Sequence, residues 1–142
     1  MLCRMELEMG PFDPALHVRS RDHYEAIRRE AQLVALQPDA PPLRLAELIE
    51  RLRQQFPRSP VDEVAEQAFV AGLASFTVRY PVPDELVPAA LNACDEAESL
   101  MHEVDRWARS GEFGLLEAPE DVKRYRAEYL AQARAQLRRA HR

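Results

Sequence analysis

Apolar residues recur three and four positions apart along most of the chain, in runs that begin at proline. The chain has 11 Pro and only 4 Gly, and a proline in the first turn of a helix costs no hydrogen bond, because the N–H there has no intrahelical acceptor. Five runs follow this rule. They open at Asp13-Pro14, Pro41-Pro42, Ser59-Pro60, Pro83-Asp84 and Ala118-Pro119. The pattern predicts an all-α fold, a bundle of about five helices.

Caps and helix breakers give these helices definite limits. Asp13 is suited to cap the first helix, Pro38 stops it, and Ser110-Gly111 ends the fourth. The predicted helical ranges are 14–36, 45–56, 60 to between 72 and 75, 84–109, and 119 to near the C-terminus.

A short extended segment interrupts the helical pattern at residues 76–80. It alternates and is rich in β-branched and aromatic residues, including Phe76, Val78 and Tyr80. Two interpretations are open, a connector that lies across the bundle or an edge that pairs with a second chain. The connector is favoured, because a lone strand has no partner within the chain. Residues 1–12 show no strong periodicity and are predicted to be a loose lead-in to a single helical domain, 13–142.

Charge and composition narrow the choice of partners. A net charge of −5 and a pI near 5.4 argue against a nucleic-acid-binding surface. The two cysteines, Cys3 and Cys94, fit neither a disulfide framework nor a metal-binding spacing. No apolar run approaches the roughly 18 residues that a bilayer requires. We therefore expect a soluble, cytoplasmic protein that binds neither nucleic acid nor membrane.

The last two predicted helices carry opposite charge. Residues 84–109 contain seven acidic and two basic side chains, whereas residues 119–142 contain three acidic and seven basic ones. Joined by a short turn, the two helices are expected to pack antiparallel as a hairpin with complementary faces. The simpler alternative is that both charge runs are solvated faces.

Catalytic and metal-binding signatures are weak. Asp95, Glu98 and His102 can share one helix face, and carboxylate and imidazole side chains are common metal ligands. A di-metal carboxylate bundle, however, needs a Glu/His pair on each of two helices, and the sequence has no second copy of this pair. His17 and His23 lie six positions apart and do not share a helix face, and the sequence contains no glycine-rich phosphate loop. Core or solvated histidines are the simpler interpretation. We predict no enzyme activity, no cofactor and no metal.

Several strings in the C-terminal half match one family pattern. The strings are Thr77-Val78-Arg79-Tyr80-Pro81-Val82-Pro83, then Leu91 with Asp95-Glu96-Ala97, Gly111-Glu112-Phe113-Gly114-Leu115-Leu116, Pro119-Glu120, and Tyr125-Arg126-Ala127-Glu128-Tyr129-Leu130. The chain resembles a helical module found beside, or fused to, histidine-kinase-like ATPase domains of the anti-sigma-factor type in actinobacteria and related bacteria. Near the N-terminus, Arg29-Glu30-Ala31 is similar to the Arg-Glu-Phe of that module.

The resemblance implies a regulatory role without catalysis. It suggests a protein-interaction module in a bacterial signalling or stress-response circuit of the partner-switching kind, with an anti-sigma-type ATPase or a STAS-domain protein as partner. Separately, the strand edge at residues 76–80 leads us to expect that a homodimer can form there. Two alternatives stay open, a sensor that binds a small molecule between the fourth and fifth helices and a metal-dependent enzyme. The predicted interaction residues are Phe76, Val78, Tyr80, Asp95, Trp107, Arg126 and Tyr129.

Overall fold

The fold combines helices with a small sheet. The computed structural model describes residues 4–34, 47, 60–110 and 117–141. Within these ranges the elements in chain order are β1 (Arg4–Phe12), α1 (Pro14–Val34), α2 (Pro60–Val70), β2 (Phe76–Pro83), a 3-10 turn (Asp84–Leu86), α3 (Val87–Ser110) and α4 (Glu120–His141). The all-α prediction is wrong, because β1 and β2 form a two-stranded antiparallel sheet and the fold is mixed α/β.

The helices begin close to where the prolines and caps place them. The N–H of Ala15 donates to the Asp13 carboxylate at 2.9 Å, so Asp13 caps α1 as predicted. α3 begins three residues later than expected, because Asp84–Leu86 takes the tighter 3-10 form. The predicted helix at 45–56 lies, apart from Glu47, outside the described residues.

α2 ends in a Schellman motif. Gly72 has a left-handed φ of 72°, which costs glycine no steric strain. The N–H of Leu73 donates to the Ala68 carbonyl at 3.0 Å and that of Gly72 to the Phe69 carbonyl at 3.1 Å. These two hydrogen bonds satisfy terminal carbonyls of the helix and place Leu73 beside Ala68.

The sheet pairs two segments that are distant in sequence. Leu7 lies opposite Tyr80, Glu8 opposite Arg79 and Met9 opposite Val78. Residues 4–12 are therefore an ordered strand, and the prediction of a loose lead-in is wrong for them. Residues 76–80 are not a lone connector, because β1 supplies the partner within the same chain.

The sheet is amphipathic across its two faces. Leu7, Met9, Val78 and Val82 are buried, whereas the intervening residues such as Glu8, Thr77 and Arg79 are exposed. On the exposed face the guanidinium of Arg79 contacts the Glu8 carboxylate directly opposite at 3.0 Å. The buried face packs against the helices.

The core lies between this buried face and three helices. Phe12 and Phe76 extend the apolar face of the sheet, and their ring centroids are 5.7 Å apart. The helical residues of the same core are Val61, Ala65 and Ala68 of α2, Val87 and Cys94 of α3, and Tyr125, Ala133 and Leu137 of α4.

Gly10 lets the two strands approach closely where their register shifts. The shift falls between Met9 and Phe12. Gly10 has a φ of 120°, and a Cβ at this position would lie 2.8 Å from the Phe76 carbonyl oxygen. No other residue fits here without displacing β2.

Candidate functional site

A shallow groove of about 430 Å³ lies between α2 and β2. The two elements that form it meet at the Schellman turn, so the turn sets their spacing. The groove is lined mainly by small and apolar side chains, which are those of Val64, Gln67, Ala68, Ala71, Leu73, Ser75, Phe76 and Thr77.

Large apolar side chains are exposed at the C-terminal end of α2, where one of them, Leu73, lines the groove. Val70 is 80 % exposed, Leu73 57 % and Phe69 50 %. The three residues belong to the last turn of α2 and its cap, so they share one end of this helix. Clustered exposed apolar side chains are unfavourable in water unless another surface covers them. We call Phe69, Val70 and Leu73 the apolar patch.

The outer edge of β2 borders the groove, and Pro81 interrupts its row of N–H donors. The backbone of Glu8 hydrogen-bonds to α4 and so points away from β2. In a regular antiparallel ladder, two residues directly opposite each other both point their backbone N–H and C=O groups either between the strands or away from them. Arg79 is opposite Glu8, and Pro81 is opposite Glu6, two residues along the strand. The backbone groups of Arg79 and Pro81 therefore point to the outer edge of β2. Pro81 has no N–H to offer, as is usual for proline in an edge strand. Among the described residues, the outer edge of β2 has no partner strand at Thr77 and Arg79.

A chain of polar groups joins three helices inside the core. Nε2 of His17 lies 2.6 Å from Oδ1 of Asp62, and Nδ1 is hydrogen-bonded to the Tyr125 hydroxyl. Burial, together with the nearby carboxylates of Asp62 and Asp13, raises the pKa of Tyr125 above its usual value. The phenol therefore stays protonated, and its O–H donates a hydrogen bond to Nδ1. The other ring nitrogen, Nε2–H, donates a hydrogen bond to Asp62.

This polar chain is closed to a substrate. His17 and Tyr125 are each 7 % exposed. Phe76 and Tyr125 meet the His17 ring edge-on, each with a centroid distance of 5.7 Å. Asp62, at the start of α2, is the half-exposed end of the chain. The arrangement orients three helices against one another, and His17 is a core histidine, which agrees with the simpler interpretation of its sequence position.

Ion pairs connect α3 and α4. Arg126 contacts the buried Asp105 at 3.0 Å, and Arg134 contacts Asp95 and Glu98, each at 3.1 Å. Residue numbers rise along one helix as they fall along the other, so the two helices are antiparallel. The antiparallel hairpin and its complementary charges are confirmed. The alternative of a solvated face is wrong for Asp105, whereas Asp95 stays exposed although it is paired.

The same ion pairs bear on the metal-site and ligand-site alternatives. Two of the three candidate ligands, Asp95 and Glu98, share the guanidinium of Arg134, and His102 is exposed. Over the described ranges, no group of three or more His, Cys, Asp or Glu side chains could hold a metal ion. The fourth and fifth predicted helices are α3 and α4. The small-molecule site predicted between them coincides with the place where Arg126 and Arg134 make their ion pairs.

The predicted interaction residues do not form one surface. Phe76 and Val78 are buried in the core, and Tyr129 is partly buried and stacks on Phe12 with a centroid distance of 5.8 Å. Arg126 is paired with Asp105, and the exposed Asp95 with Arg134. Tyr80 lies in β2 opposite Leu7, and Trp107 lies in the last third of α3.

The groove and the apolar patch were missed, although the sequence held part of the signal. Phe69 and Leu73 follow Ala65 at intervals of four, the spacing of one helix face. They extend beyond the part of α2 that the core covers, because the buried residues of α2 (Val61, Ala65 and Ala68) end at Ala68. One feature of the sequence indicated that His17 is buried. It precedes Tyr24 by seven positions, about two helical turns, and so lies on the apolar stripe of the first helix.

No family model, curated protein or solved structure matches the chain. The resemblance to the helical module beside anti-sigma-factor-type ATPases therefore stays a prediction. Among the described helices, none combines the length and the apolar character needed to cross a bilayer.

Proposed function

We propose that this chain is a non-catalytic regulatory protein-interaction module in a cytoplasmic signalling or stress-response circuit of a bacterium. The observation that supports the proposal most directly is the apolar patch at the end of α2, which reaches the α2–β2 groove at Leu73. Leu73, at 57 % exposure, lines a concave surface next to a strand edge, and Val70, at 80 % exposure, lies in the last turn of the same helix. Exposed apolar residues around a groove are a feature of protein-binding surfaces.

The internal chemistry also favours binding over catalysis. The groups best suited to acid–base chemistry, His17 and Tyr125, are covered by core side chains and hydrogen-bonded to each other. Burial raises the pKa of the Cys94 thiol, which therefore stays protonated and is a poor nucleophile. The groove, by contrast, is lined by side chains suited to contact rather than to reaction.

The partner is proposed from the resemblance. An anti-sigma-type ATPase or a STAS-domain protein from the same organism is the expected ligand, bound through the apolar patch. Interfaces of this kind depend on a few central apolar residues, and truncating or charging one of them typically costs more than 1 kcal/mol.

Direct binding measurements with purified proteins test the proposal. Isothermal titration calorimetry against each candidate partner should give binding to the native chain. Val70→Asp and Leu73→Asp should weaken it by about tenfold or more, because a carboxylate would have to be desolvated in the interface.

Leu86→Asp is the matched control. Leu86 is 50 % exposed, much like Leu73, but it lies beyond the far end of β2, roughly 25 Å along the strand from the groove. The control should bind like the native chain. Failure of both partner classes to bind, or equal binding by all three variants and the native chain, would contradict the proposal.

A further inference from the structure

The outer edge of β1 is occupied by two glutamine side chains of α4. The backbone N–H of Glu8 donates to Oε1 of Gln136 at 2.9 Å, and Nε2 of Gln136 donates back to the Glu8 carbonyl at 2.8 Å. One carboxamide thus meets both backbone groups of one strand residue. A peptide group of a neighbouring strand would make the same two contacts.

A second glutamine repeats the contact one step along the strand. The backbone N–H of Gly10 donates to Oε1 of Gln132 at 2.9 Å. Nε2 of Gln132 donates to the Glu128 carboxylate at 2.9 Å. This contact orients the carboxamide so that its oxygen, Oε1, faces the strand. The outward N–H groups of Glu8 and Gly10 are therefore both satisfied by α4.

The spacing of the two glutamines suits a strand edge. Positions four apart on a helix are separated by about 6 Å along its axis, and positions two apart on a strand by about 6.7 Å. Gln132 and Gln136 therefore reach Gly10 and Glu8 in antiparallel order without bending either element. The pair presents donor and acceptor groups at the period of a β-ladder.

The edge that the glutamines cover is complementary to the open edge of β2. Within the chain, β1 and β2 already pair, with Glu8 against Arg79 at 3.0 Å. Over the described residues, the outer edge of β2 has no strand partner at Thr77 and Arg79. The outer edge of β1 in one copy could pair with the outer edge of β2 in a second copy. Glu8 of the first copy would then lie opposite Arg79 of the second, as the same two residues do within one chain.

We propose that Gln132 and Gln136 act as a stand-in for a third strand and block head-to-tail pairing between copies of this chain. Such pairing joins two different edges, so it does not close on itself and would extend to open-ended oligomers. An uncovered strand edge is a template for that kind of association. The function of the glutamines is then to cover β1 at Glu8 and Gly10, so that this stretch cannot pair with the open edge of β2 in another copy.

Amide hydrogen exchange in the native chain provides the first test. The amides of Glu8 and Gly10 should exchange at least about tenfold more slowly than those of Thr77 and Arg79, because among the described residues only the former two have hydrogen-bond acceptors. Exchange of Glu8 and Gly10 as fast as that of Thr77 and Arg79 would overturn the proposal. This measurement needs no variant, so it holds whether or not the substituted chains fold.

The second test removes the carboxamides. The double variant Gln132→Leu/Gln136→Leu should form oligomers whose size grows with concentration in analytical ultracentrifugation, beyond a dimer. Adding Arg79→Pro, which deletes a donor from the complementary edge, should return it to the size of the native chain. The control Ala131→Leu/Ala135→Leu adds two leucines at exposed positions of α4 and should behave like the native chain.

Each outcome of the second test decides the question. A folded double variant that sediments like the native chain would overturn the proposal, as would oligomers that persist unchanged with Arg79→Pro. Equal association of the alanine-to-leucine control would assign the effect to added apolar surface and would overturn it as well.

Discussion

At the scale of single residues, His17 explains how a polar side chain is stable in this core. Its two ring nitrogens have partners on two other helices, Asp62 on α2 and Tyr125 on α4. A buried imidazole with both nitrogens hydrogen-bonded avoids the desolvation cost of an unmade hydrogen bond. His17 therefore fixes the relative positions of α1, α2 and α4.

Tyr125→Phe tests this role. The substitution keeps the ring in the core but removes the proton donor to Nδ1 of His17, and leaving a buried acceptor unpaired costs about 1–3 kcal/mol. We expect a loss of this size in the free energy of unfolding, measured by urea denaturation. The loss should shrink when His17→Leu is added, because the unpaired acceptor is then gone. A loss below about 0.5 kcal/mol for Tyr125→Phe alone would contradict the role.

Glu117 makes the stability depend on acid pH. Its hydrogen bonds with Arg109 and then Lys123 lower its pKa from 4.5 to about 2. A lowered pKa in the folded state means that the contribution is complete above pH 4.5 and is lost as the pH falls towards 2. Glu117→Gln should therefore remove part of the acid sensitivity between pH 4.5 and 2 and leave the slope above pH 5 unchanged.

Urea unfolding measured at several pH values checks this expectation. Glu120→Gln is the control, since Glu120 is 80 % exposed and lies farther from Lys123, at 3.6 Å. The same pH dependence in Glu117→Gln and the native chain would refute the role of Glu117.

At the scale of elements, the helices were predictable because their signals are local. A cap such as Asp13, a glycine such as Gly72 and an apolar stripe all act within a few residues of the helix they define. The acidic start and basic end of α4 are likewise read from its own sequence. Within the described ranges, these signals place four helices close to their observed limits.

The strands were not predicted as a sheet, because pairing depends on a distant partner. Met5-Glu6-Leu7-Glu8-Met9 alternates apolar and acidic residues, which is the signature of a half-buried strand. The alternation is short, and nothing local indicates that its partner is β2. The candidate site depends on the same distant contacts. The end of α2 was expected between residues 72 and 75, but the meeting of Leu73 and Phe76 around a groove follows from tertiary packing alone.

At the scale of the whole molecule, β1 is an integral part of the fold. Leu7, Met9 and Phe12 are each no more than 4 % exposed, and β1 is the strand with which β2 pairs. Burial of one such side chain contributes about 1.5–3 kcal/mol, and the net stability of a domain is only about 5–15 kcal/mol.

Deletion of residues 1–12 should therefore abolish cooperative unfolding. Thermal denaturation followed by circular dichroism should give no sharp transition for the shortened chain. Deletion of residues 141–142, at the other terminus, is the control and should leave the transition within a few degrees of the native value. A shortened chain with a native-like melting temperature would show that β1 is dispensable.

The separation of the paired strands also sets the order of events during synthesis. β1 is translated before β2, with residues 13–75 between them, and the glutamines that cover its other edge are translated later still. Local helices form in microseconds, whereas a contact between distant segments must first meet the entropy cost of closing a long loop. On the ribosome, β1 therefore waits without a partner on either edge until most of the chain has emerged, and this nascent stage is when the chain is most exposed to the binding of chaperones.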